Sequence, residues 1–113
     1  MNGSLVLILH THLPYVLHHG TWPHGSEWLC EAAAECYIPL LNECHALLTE
    51  GITPSITFSL TPIVVEQLAD PIFPRVFVEW LDNRIAGARS DREEFGKRSE
   101  DRHLVPLTIF WEE

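Results

Sequence analysis

The chain has 113 residues, 46% of them hydrophobic and 20% charged, which fits one soluble domain or a piece of a larger one and excludes a disordered tail or a collagen-like repeat. Its formal net charge is −9 with only 7 Lys and Arg, so there is no basic patch to neutralise phosphates or anionic lipid heads. That balance argues against nucleic acid and membrane surfaces as partners.

The longest apolar run, residues 5–9, is far short of a membrane span, and the opening MNGS lacks the basic start and small-residue cleavage site of a signal peptide. A cytoplasmic location is expected. That run (LVLIL) is bounded by Gly3-Ser4 and by His10-Thr11-His12, the pattern of a strand buried on both faces as in a parallel sheet. Side chains two apart on a strand point the same way, so His10 and His12 share a face at its carboxyl end. Residues 13–26 hold Pro14, Gly20, Pro23 and Gly25 and form a long loop carrying Tyr15, His18, His19, Trp22 and His24.

From Ser26, a candidate N-cap, apolar residues from Trp28 to Leu48 recur at helical spacing; Pro39 should kink or split that helix, and Gly51 fits its C-terminal cap. Cys30, Cys36 and Cys44 all fall in it. Odd in number and without a C-x-x-C pair, they indicate neither a disulfide framework nor a zinc ribbon, and no base stands beside Cys36 to activate it.

Residues 53–60 (TPSITFSL) read as a second strand, and Thr61-Pro62 as the N-cap and first-turn proline of a short helix ending at Leu68 or Ala69. After Asp70-Pro71, an apolar stripe from Val76 to Ala88 predicts a third helix ending near Gly87. Residues 89–103 are a charged, solvated stretch, helix or linker. The last residues, LVPLTIFWEE, place Phe110 and Trp111 at a raw terminus, with helix expected only downstream of Pro106.

The fold class expected is α/β, with two parallel strands and flanking helices. Two strands of the doubly covered kind do not complete a sheet, and a βα barrel needs about eight units and roughly 250 residues. Residues 1–113 therefore read as a single partial domain, a piece of a larger fold or a chain that assembles with something else.

The run LVLILHTHLPYVLHHGTWPHGSEWLCEAAAECYIPLL followed by SITFSLTPIVVEQLAD closely resembles the N-terminal part of the catalytic domain of glycoside hydrolase family 57, especially its 1,4-α-glucan branching enzymes. The resemblance extends over about residues 5–98. Its most telling pieces are His10-Thr11-His12-Leu13-Pro14-Tyr15, then Trp22-Pro23, Glu27-Trp28, and Thr61-Pro62 ahead of Glu66-Gln67-Leu68-Ala69-Asp70.

The resemblance implies the N-terminal segment of an incomplete (β/α)7 barrel acting on glycogen- or amylose-like α-glucans by a retaining mechanism. A Glu nucleophile and an Asp acid/base would come from later strands. Such chemistry needs two carboxyls roughly 5 Å apart across the scissile bond. Glu66, Glu79, Glu93 and Glu94 fall on predicted helices or in the charged stretch, so none is assigned as catalytic.

By the same resemblance, His10 and His12 line the glucose subsite beside the cleaved bond, and Trp22 and Trp28 are aromatic platforms. Pro14 and Tyr15 shape the loop. No cofactor and no metal are expected. The partners implied are an α-glucan and the remainder of the barrel or a complementary chain.

Plainer readings stand beside these. His10 and His12 could simply end a strand, but the aromatic-rich loop after them favours the site role. H-x-H after a first barrel strand also looks like the opening of amidohydrolases, where paired imidazoles hold zinc; the further His, Lys and Asp ligands that would require are not recognised here. His18, His19 and His24 read as solvated. Trp28 fits a core position as well as a site, and Trp80 and Trp111 read as packing residues. A non-catalytic carbohydrate-binding or scaffold piece of a split gene is the alternative function.

Overall fold

The computed structural model describes residues 5–109. Phe110 and Trp111 lie outside them. The chain divides into two compact units, one up to Phe73 and one from Pro74.

The first unit is built on a strand-helix-strand-helix order. Strand β1 (Ile8–Thr11) is followed by α1 (Ser26–Ala32), a π-helical turn (Ala33–Tyr37), α2 (Ile38–Thr49), β2 (Thr57–Leu60) and α3 (Pro62–Ala69). The strands pair in parallel, with Ile8, Leu9, His10 and Thr11 opposite Thr57, Phe58, Ser59 and Leu60. This is the α/β arrangement expected, with two parallel strands and flanking helices.

Two details of β1 differ from expectation. The strand covers residues 8–11 rather than 5–9, because pairing is set by what β2 offers: Thr57 N–H reaches back only to the Leu7 carbonyl, and Thr61 N–H caps the far end on the Thr11 carbonyl. The apolar run is also not buried on both faces. Leu5, Val6 and Ile8 are 96%, 73% and 60% exposed, since a strand with a single neighbour in a two-stranded sheet has little to cover it.

The Pro39 helix is split, not broken. Pro39 occupies the first turn of α2, where its missing N–H is tolerated, and the five-residue π turn lies directly before it. Dihedrals at Ala33 and Ile38 stay helical, so the chain passes through with its direction adjusted by one widened turn. At the other end Gly51 (φ 78°) sits in the left-handed region. Its N–H donates to the Leu48 carbonyl and Ile52 N–H to the Leu47 carbonyl, the two bonds of a Schellman cap.

The N-terminal caps are backbone devices. Ser26 is not the N-cap of α1: Gly25 holds that place, and no side chain caps the helix. Thr61 is the N-cap of α3, but its carbonyl accepts from Val64 and Val65, while its buried hydroxyl finds no hydrogen-bond partner among the described residues. The core of this unit gathers Val16 and Leu17 from the loop, Leu29, Cys30 and Ala33 from the first helical stretch, and Val64 and Gln67 from α3.

Helix α4 (Phe73–Lys97) belongs to the second unit from Pro74 onward and dominates it, followed by a 3-10 turn (Arg102–Leu104) and α5 (Val105–Ile109). Helix α4 runs ten residues past Gly87, where the sequence pattern predicted its end. Gly87 and Gly96 each cost a helix only about 1 kcal/mol, while Ala88, Arg89, Arg92, Glu93, Glu94 and Lys97 are good helix formers, with Glu94 placed to meet Lys97 at 3.9 Å and Arg98 at 2.7 Å. Trp80 is buried, stacked with Phe77 (6.3 Å between centroids), and carries the Arg84 guanidinium 5.2 Å from its ring centre. Pro106 falls inside α5 at its second residue, a first-turn position it tolerates.

Candidate functional site

The polar end of β1 is organised by β2 and the helices behind it. His10 faces Ser59 across the parallel ladder, and its Nδ1 lies 3.0 Å from the Ser59 hydroxyl. Thr11 points to the other side of the strand, where its hydroxyl hydrogen-bonds that of Tyr37. His12, one residue beyond the strand, returns to the face of His10. The two exposed rings lie stacked, 6.4 Å between centroids and 10° between planes. With Nδ1 of His10 engaged by Ser59, its Nε2 remains as the nitrogen a ligand would meet.

The loop at residues 13–25 is held down at its start and closed at its end. Gln67, fully buried on α3, accepts from Val16 N–H (2.6 Å) and Leu17 N–H (3.0 Å) and donates to the Pro14 carbonyl (3.0 Å) and the Ile63 carbonyl (3.2 Å). One turn further on, His18 Nε2 meets Asp70 Oδ2 at 3.0 Å. The Ile72 backbone N–H, and after it His18, hold the Asp70 carboxyl below its ordinary value. Tyr15 is flanked by His18 at 5.9 Å and edge-on by His19 at 5.7 Å.

At the closing end, Ser26 N–H donates to the Gly20 carbonyl at 2.9 Å, so residues 20 and 25 approach so closely that only glycine fits at 25. Between them the Trp22–Pro23 peptide is cis and the Trp22 ring stands out, 76% exposed. His24, at a left-handed φ of 61°, lays its ring 4.4 Å from that of Trp28, which opens α1 half-buried.

Of the sequence-predicted residues, His10 and His12 are thus brought together as one pair, and Trp28 is engaged with His24 as another. Trp22 projects from the loop, Tyr15 sits between two histidines and Pro14 supplies a carbonyl to Gln67. The loop histidines read as solvated are exposed; His18 also pairs with Asp70, and His24 sets its ring beside Trp28. Sequence reasoning also missed Gln67 as the organiser of the loop. The available signal was a lone amide three residues after Val64 on the buried stripe of a short helix.

The thiols differ in environment. Burial first, then Glu27 and Glu31, push Cys30 up to about 11, while Cys36 is exposed. Among the described residues no group of three His, Cys, Asp or Glu is arranged to hold a metal ion. No helix of the described residues is long and apolar enough to cross a membrane.

No family model matches the chain. Curated relatives and solved structures do. The 1,4-alpha-glucan branching enzyme of Thermococcus kodakarensis is 41% identical over 110 residues, 97% of this chain and 16% of that protein. A protein of Mycobacterium tuberculosis named "Probable 1,4-alpha-glucan branching enzyme" is 46% identical over 81 residues, 72% of this chain and 15% of its own length.

The crystal structure of a GH57-type branching enzyme from Pyrococcus horikoshii superposes with a TM-score of 0.87 at 41% identity, over 99% of this chain and 20% of that one. The Thermococcus GH57 branching enzyme, crystallised in complex with glucose and additives, gives 0.79 at 36% identity over 98% and 20%. The chain therefore spans between 15% and 20% of the length of these relatives. At this identity, and with nearly all of its residues superposed, the chain is homologous to the N-terminal part of the glycoside hydrolase family 57 branching enzymes.

Proposed function

We propose that the chain is the N-terminal segment of a retaining α-glucan-acting enzyme of the branching type, contributing the groups that position the sugar. On this reading it belongs to a (β/α)7 barrel whose Glu nucleophile and Asp acid/base come from polypeptide beyond these residues. The substrate is a glycogen- or amylose-like polymer, handled in the cytoplasm.

The observation that carries the reading is the stacked His10–His12 pair at the carboxyl end of two parallel strands, the end where βα barrels keep their active sites. Ser59 restrains His10 so that its Nε2 meets a sugar hydroxyl as donor or acceptor, according to tautomer. Holding the ring in register with the reacting carboxyls is how such residues accelerate a reaction they do not perform. Trp22 supports the reading as an open flat ring suited to the apolar face of a pyranose, and Trp28 as its braced neighbour in sequence. During turnover the absent Glu would attack the anomeric carbon while the absent Asp protonates the departing oxygen, after which a sugar hydroxyl or water takes the glucosyl unit.

The test is complementation. This chain, joined to the rest of the Thermococcus enzyme in place of its matching segment, should transfer glucan chains, read as loss of iodine staining of amylose against release of reducing ends. His10→Ala and Trp22→Ala should each lower the rate by about tenfold or more, the worth of one good sugar contact. Undiminished activity in both variants removes the assignment.

A further inference from the structure

Gln67 is a fully buried polar side chain in the last turn of a helix whose buried stripe would be served equally well, for packing alone, by a methionine or leucine. Its amide is saturated. Both acceptor positions of Oε1 are taken by consecutive N–H groups, Val16 and Leu17, and both Nε2 protons by the carbonyls of Pro14 and Ile63. Three of these four partners belong to one short piece of loop some fifty residues earlier in the chain. That piece starts two residues after His12 and ends three before Gly20, where the turn carrying Trp22 begins.

Burial of Val16 and Leu17 follows from the same grip. Were their N–H groups unpaired, sinking those two residues into the core would be opposed by the cost of dry donors. The His18–Asp70 contact adds a second, solvent-facing tie at the C-cap of α3.

We propose that Gln67 is a positioning residue for the glucan site: its amide clamps the loop after His12 onto α3 and thereby sets where Trp22 stands, without touching the sugar itself. The part concerning sugar rests on the function proposed above; the clamp does not.

The experiment uses the 113-residue chain, labelled with 15N, as wild type and Gln67→Met. Methionine keeps the length and removes all four bonds. In Gln67→Met, exchange of the Val16 and Leu17 amides should quicken at least about tenfold while the α2 amides keep their protection, and the Trp22 indole N–H resonance should move.

Unchanged exchange and an unmoved Trp22 resonance in Gln67→Met overturn the clamp. If the methionine variant fails to fold, the wild type decides: Val16 and Leu17 amides protected at least about tenfold over the unfolded-chain rate support the clamp, and exchange at the unfolded-chain rate overturns it. Titration with maltoheptaose separates the two readings, and it uses the chimera with the rest of the Thermococcus enzyme, in which the remainder of the site is present. A wild-type response at Trp22 that weakens about tenfold in Gln67→Met supports the positioning role. No response in the wild type defeats the glucan reading, and the exchange data still judge the clamp.

Discussion

Replacing Gly25 by alanine tests the loop closure at the end of the aromatic loop. A Cβ at this position would lie 2.2 Å from the Gly20 carbonyl oxygen, 2.6 Å from its carbon and 2.7 Å from the Thr21 oxygen, all backbone atoms with no flexible side chain to give way. Its own dihedrals (φ −99°, ψ −149°) are not left-handed, so the penalty comes from space alone. To restore van der Waals contact the 20–21 segment must retreat by about an ångström. That retreat breaks the 2.9 Å bond from Ser26 N–H to the Gly20 carbonyl and strands a donor on a buried residue. An unsatisfied buried donor costs about 1–3 kcal/mol, and with the displaced packing the expected destabilisation is about 2–4 kcal/mol.

Gly20→Ala is the matched control. There the φ of +80° strains any side chain but nothing lies within 4 Å, so the cost should be only about 1–2 kcal/mol. Urea unfolding followed by far-UV circular dichroism, with unchanged m-values, reads both. Gly25→Ala costing no more than Gly20→Ala would refute the reasoning.

Two further outcomes follow from the charges and thiols. Iodoacetamide at pH 8 should alkylate exposed Cys36 well before Cys30, whose thiol is pushed up to about 11, and peptide mass spectrometry gives the order; Cys30 reacting first contradicts the burial assigned to it. Asp70 is depressed below 3.8 in the folded chain, so its charge stabilises at pH values above about 4, and that contribution is lost as pH falls through the lowered value. Asp70→Asn keeps an acceptor for Ile72 N–H but not the charge, so the gap in urea midpoint between the two proteins should be full near neutrality and close on acidification. A gap that widens in acid would reverse the sign of this assignment.

What the sequence determined by itself was the kind and order of elements, because those depend on chemistry within a few residues. Gly51 had to follow a helix as its left-handed cap, Pro62 had to open one, and Pro39 had to disturb one; each acts on its own turn. The same locality made His10 and His12 legible as a pair, since alternation along a strand is a property of two neighbouring peptide units.

Only the tertiary structure decided which part of the apolar run became β1, because the register against β2 is chosen by residues some fifty positions away. Ser59 on His10, Asp70 on His18, and Gln67 on Val16 and Leu17 are contacts of the same long span, invisible to any periodicity. The close approach of Gly25 to Gly20 is shorter in sequence but equally unreadable, since an irregular loop has no repeating geometry from which to extrapolate. Local patterning thus set the elements and their faces. The partners that hold the loop were chosen by packing, where buried polar groups must find one another whatever their distance along the chain.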